Sequence, residues 1–143
     1  MTLAGGAGPR PDFPLATGQV WEMSYRVTGE GARKQVLTLE NEARNSPDDQ
    51  GARIFEASGA DGAVMVAFPA ARYLVAGIQE PLVMCLTRRS AGSTSSGYVL
   101  TGTPEALQAL LPQRAPNDEY TDAEVYEVAR TAGLGTCTLS RLR

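Results

Sequence analysis

The stretch Gln19-Val20-Trp21-Glu22-Met23-Ser24-Tyr25-Arg26-Val27-Thr28 decides the fold class. Trp21, Met23, Tyr25 and Val27 take every second position, and the mostly polar Val20, Glu22, Ser24 and Arg26 lie between them. A two-residue period of this kind belongs to a β-strand with one face in a core and the other in solvent. Gly29-Glu30-Gly31 then reads as a turn. From Lys34 to Arg44 the alternation resumes, with Leu37, Leu39 and Ala43 on one side and Val36, Thr38, Glu40 and Glu42 on the other. The two strands predict a hairpin.

The same reading extends along the chain. Asn45 to Gly51 collects turn-forming residue types and is expected to be a solvent loop. Ala52 to Ser58 is a third strand with Phe55 as its core anchor, and Gly59-Ala60-Asp61-Gly62 turns into Ala63-Val64-Met65-Val66-Ala67-Phe68. That segment is apolar on both faces, so it is covered on both sides or central in a sheet. Short strands follow at Tyr73–Gly77 and Leu82–Arg88. A Ser/Gly-rich loop over 88–97 leads back to strand at Tyr98–Thr101.

Two helices punctuate the last third. Thr103 as N-cap, Pro104 at the first helical position and Leu107, Leu110 and Leu111 on one stripe mark the first, before Pro112. Thr121-Asp122-Ala123-Glu124 is a capping box, followed at helical spacing by Val125, Val128, Ala129 and Ala132 up to Gly133. The alternative for 124–131 is a strand, because Val, Tyr and Thr favour sheets. Thr136 to Leu142 is the final strand. The expected fold is all-β: an antiparallel meander of seven or eight strands, closed as a small barrel or packed as a sandwich, with one or two short helices in the C-terminal third. A loose tail is expected over residues 1–16 and a single domain over 17–143.

Composition fits one ordinary globular domain: 143 residues, 43% hydrophobic and 20% charged. A net charge of −3 offers no general attraction for nucleic acid or an anionic membrane surface. No apolar run reaches the ~18 residues of a membrane span. Lys34 is the sole lysine among 13 cationic residues, an arginine bias that reads more simply as a GC-rich bacterial genome than as a guanidinium-based function. The N-terminus lacks the basic start and apolar run of a signal peptide. Leu3-Ala4-Gly5 resembles the end of a bacterial lipoprotein signal, with Gly6 where the lipidated cysteine would stand; a flexible leader is the preferred reading.

The two cysteines, Cys85 and Cys137, each lie within a β-reading segment, 52 positions apart. A disulfide between them is expected, which implies an oxidising, extracytoplasmic compartment. Two buried free thiols in a cytoplasmic protein are the alternative. Histidine is absent, which removes the side chain most used for proton transfer near neutral pH and the commonest metal ligand. No zinc spacing, EF-hand loop, phosphate-binding loop or serine-hydrolase elbow is present, so neither a cofactor nor a metal is expected. Glu40 and Glu42, on one face of one strand, are the nearest approach to a glycosidase-type carboxylate pair, and a solvated strand face explains them better.

Weaker candidates remain for binding. Arg88 and Arg89 lead into the Ser/Gly loop within an acid-free segment, residues 81 to 104, where a small anion could bind, and a solvated loop explains them better. Met65, Phe68 and Tyr73, within the apolar run Val64–Ile78, would line a cavity for a small apolar ligand, with Tyr98 nearby; packed core is the competing fate of that run. Gly18 and Trp21 at the first strand, with Arg141 or Arg143 near the end of the chain, resemble the opening of lipocalin-like barrels, although the spacing is one residue longer. That resemblance implies an arginine from the last strand over the tryptophan ring, whereas an ordinary core tryptophan is the plainer reading. The expectation is a non-enzymatic, exported or envelope-associated domain that binds a protein partner or a small apolar ligand. A histidine-independent hydrolase and a cytosolic interaction module are the alternatives.

Overall fold

A computed structural model describes residues 15–43, 52–68, 73–79, 81–88, 94–112 and 120–143. Eight antiparallel strands follow one another around a closed barrel: β1 (Val20–Val27), β2 (Ala32–Ala43), β3 (Arg53–Ser58), β4 (Val64–Phe68), β5 (Tyr73–Ile78), β6 (Val83–Arg88), β7 (Thr94–Thr101) and β8 (Gly135–Arg141). The expected meander is therefore a barrel and not a sandwich. Its closing seam joins β1 to β8 in a register running from Trp21 opposite Arg141 to Val27 opposite Gly135. Helices α1 (Pro104–Leu110) and α2 (Asp122–Ala132) fill the connection from β7 to β8. The capping box wins at α2: the Thr121 hydroxyl accepts from the Glu124 N–H, and the Glu124 carboxylate accepts from the Thr121 N–H.

The alternation in β1 does what its period requires. Trp21 and Met23 turn inward with Leu37, Leu39, Phe55, Met65, Leu74, Ile78, Val99 and Leu139, each at most 1% exposed. Met65, a candidate for a cavity lining with packed core as its other expected fate, is part of the packed interior, the usual filling of an eight-stranded barrel. Leu15 joins this core at 1% exposure. It is held there because the Gly18 N–H donates to the Leu39 carbonyl at 2.7 Å, and the Leu39 N–H donates to the Gln19 carbonyl at 2.9 Å. The buried indole of Trp21 donates to Gln19 Oε1 at 3.0 Å. Arg141 stands opposite Trp21 in the ladder across the seam, and its Nε donates to the Arg143 carbonyl.

Cys85 and Cys137 form a disulfide that skips a strand: one lies on β6, the other on β8, with β7 between. Neighbouring strands alone lie about 4.8 Å apart, yet the two Cα atoms, two strands removed, are 5.9 Å apart. The wall must fold sharply at β7, and the residue between the cysteines is Gly97, opposite Cys137 on one side and Thr87 on the other. A Cβ at Gly97 would land on the Leu86 carbonyl oxygen, so only glycine permits this approach. β7 also begins at Thr94, earlier than the expected Tyr98, because Ser96 finds ladder partners in both Arg88 and Thr138. Ladder pairing overrides a loop-like composition.

A second apolar layer lies outside the barrel. Leu86 and Leu100 point outward from β6 and β7 but are only 4% exposed, because Tyr126 and Ala129 of α2 cover them. Val64–Phe68 reads as apolar on both faces for this reason: Met65 and Ala67 fill the barrel, while Val66 and Phe68 face the space beside the helix.

A candidate pocket between the second helix and the barrel wall

On the outer wall, the start of α2 and the residue before its cap lean over β4, β5 and β6 and leave a pocket of about 240 Å³. Its floor is Val66 and Phe68 from β4, Tyr73 and Val75 from β5, and Met84 and Leu86 from β6; Tyr120 and Val125 form the side nearer the helix. The parity of each strand produces this. With Met65, Leu74 and Cys85 pointing inward, their sequence neighbours must point outward. Tyr120 is oriented by a hydrogen bond from its hydroxyl to the Pro112 carbonyl. Tyr73 also packs on Tyr126, ring centroids 5.2 Å apart, and Tyr126 meets Tyr98 edge-on at 5.6 Å. The Tyr126 hydroxyl is pushed above its ordinary pKa, chiefly by burial and then by the Tyr98 hydroxyl, while the Arg88 charge opposes the shift.

The structure thus separates the residues expected at a ligand site. Phe68 and Tyr73 meet in this pocket, Met65 is inside the barrel, and Tyr98 stands on the far flank of Tyr126. Arg88 faces outward, opposite Tyr73 and Ser96 on the neighbouring strands, and Arg89 lies outside the described residues. Sequence reading missed Val66, Val75, Met84, Leu86, Tyr120 and Val125. The signal available was that β5 and β6 keep apolar residues at both parities, which calls for an external cover.

Glu40 and Glu42 do not share a face. The register shifts between Leu39 and Asn41, a bulge that places Asn41 opposite Glu56 and Glu42 opposite the inward-pointing Phe55. A bulge inserts one residue and resets the parity. Glu42 is committed to Arg53, whose Nε and Nη2 donate to its two oxygens at 2.9 and 2.7 Å, and the same guanidinium lies 5.1 Å from the centroid of the Phe55 ring. The hydrogen bonds from Arg53 hold the Glu42 carboxyl below its ordinary range. Among the described residues no group of three Cys, Asp or Glu side chains is arranged to hold a metal ion.

On the other flank of α2 the wall formed by β7, β8, β1 and β2 carries an open groove of about 490 Å³, bordered by Tyr98, Tyr126, Ser96, Thr136, Thr138, Ser24 and Arg26. Comparison with protein-family models, curated proteins and solved structures finds no match to this chain.

Proposed function

We propose that the protein is a non-enzymatic binding domain of an extracytoplasmic compartment, and that the pocket beside α2 takes a small apolar ligand. The observation that carries this reading is the pocket itself: Val66, Phe68, Val75, Met84, Leu86 and Val125 converge on about 240 Å³ outside a barrel whose interior is already filled. Ligand sites are typically concave, apolar and marked by few polar groups. Here the lining residues that carry a polar group are Tyr73 and Tyr120, the latter with its hydroxyl bonded to the Pro112 carbonyl. The volume suits a molecule of one or two rings; an apolar cavity of ~150 Å³ accommodates benzene. The Cys85–Cys137 disulfide supports an oxidising compartment.

The test is a titration of the full chain with 1-N-phenylnaphthylamine, a neutral apolar fluorophore. Wild type is expected to bind with enhanced emission. Val75→Phe, which fills the pocket from a strand position tolerant of an aromatic, should lose that signal while the emission of the buried Trp21 stays unchanged. Equal binding by wild type and Val75→Phe would remove the pocket as the site.

A further inference from the structure

The groove on the opposite flank of α2 has a chemistry of its own. Across β7, β8 and β1 the outward residues fall into register: Ser96 opposite Thr138, and Thr138 opposite Ser24, with Lys34 of β2 beyond Ser24. The next row is Tyr98, Thr136, Arg26 and Ala32. Neighbours within a row are about 5 Å apart and rows about 7 Å apart. The floor is thus a lattice of hydroxyl groups, with an aromatic wall of Tyr98 and Tyr126 at one side and Arg26 at the other, and Lys34 paired with Ser24 beyond the lining. None of the residues lining the groove is acidic, and just beyond it the Glu22 carboxylate accepts from the Ser24 hydroxyl at 3.3 Å.

Three features distinguish this from an ordinary solvated strand face. The central positions of this face, Ser96, Thr136 and Thr138, carry hydroxyls and no cross-strand pair of opposite charges. Ser96, Thr136 and Thr138 have no side-chain hydrogen-bond partner among the described residues, and neither Arg26 nor Lys34 has an ion-pair partner among them. The aromatic side is rigid, since Tyr126 is 9% exposed and packs edge-on against Tyr98. A hydroxyl both donates and accepts, so a row of them matches a ligand that presents hydroxyls in turn. The negative π face of a tyrosine suits the C–H face of a sugar ring, and an unpaired guanidinium suits a carboxylate.

We propose that this groove binds a sugar bearing a carboxylate, a uronate residue, with its ring against Tyr98, its hydroxyls on Ser96, Thr136 and Thr138, and its carboxylate on Arg26. The site rests on residues different from those of the apolar pocket, although both flank α2.

The experiment is a titration of the isotope-labelled full chain with trigalacturonate, followed by amide chemical shifts, with galactose and AMP as comparison ligands. Saturable shifts are expected at residues 24–26, 96–98 and 136–138, with galactose weaker. Arg26→Gln should weaken trigalacturonate at least about tenfold, the scale of one charge-assisted hydrogen bond, and leave galactose unchanged. Thr138→Val, which keeps strand shape while deleting one hydroxyl, should weaken both sugars. Trp21 emission reports whether each variant folds. Shifts centred elsewhere, an absence of saturation, or AMP binding as tightly as trigalacturonate would each overturn the assignment.

Discussion

At the scale of single residues, Gly97 and Tyr126 have the most specific consequences. Gly97→Ala puts a methyl onto the Leu86 carbonyl, a backbone atom that cannot step aside, at the point where β7 bends beneath the disulfide. We expect a loss of about 2–3 kcal/mol, the upper range for overpacking a well-packed site, measured by urea unfolding monitored at Trp21. A cost under about 0.5 kcal/mol, that of an ordinary surface change, would mean that the bend is soft. Tyr126 gives a pH dependence. Its folded pKa is raised by burial and by Tyr98, so the neutral hydroxyl is favoured in the folded state. The stabilisation is fully present below the unfolded value of about 10 and is lost as pH rises through the higher folded value. Stability should therefore fall on the alkaline side, and Tyr126→Phe should flatten that limb in unfolding curves taken at successive pH values. The cysteine pairing was legible in the sequence because both residues fall within strands. The parting of Glu40 from Glu42 was not, because the bulge after Leu39 depends on what β3 offers opposite and leaves no mark in β2 itself.

At the scale of elements, α2 is the part on which both flanking cavities depend. It makes no pairing with the barrel ladder and is held by its apolar contacts to Leu86, Leu100, Tyr73 and Tyr98 and by its own cap. Thr121→Ala removes the acceptor for the Glu124 N–H and half of the capping box. The expected cost is about 1 kcal/mol. The first turn, which bears Val125 and adjoins Tyr120, should fray, so phenylnaphthylamine affinity should fall more than the global unfolding midpoint does. An unchanged affinity would show that the pocket does not need the cap. The helix itself was legible, since a capping box and a terminal glycine are local signals; Gly133 adopts the left-handed conformation at φ 67° that ends α2. The strand face under the helix was not, because the outward leucines of β6 and β7 state only that something must cover them.

At the scale of the whole molecule, the barrel has one seam that joins the ends of the chain, β1 to β8, and closure there removes the last two exposed strand edges. Local pattern cannot reveal such a closure, since a sandwich and a barrel ask the same alternation of every strand; the choice lies in whether β8 returns to β1. The disulfide bears on that choice. By tying β8 to β6 across β7 it fixes β8 at the correct place before or after the seam forms, and it closes a chain separation of 52 residues. The double variant Cys85→Ala/Cys137→Ala should be less stable by about 4 kcal/mol, the scale expected for cross-linking a loop of this size. The loss should not be spread evenly. β8 is preceded by the long helical connection and is held laterally only by β7 and β1 once the bridge is gone, so it should be the first strand to detach. Native-state amide exchange of the double variant tests this: the amides that pair β8 with β1 should exchange faster than those joining β2, β3 and β4. Uniform acceleration around the barrel would show instead that the wall opens as one unit and that the bridge acts on the unfolded chain alone.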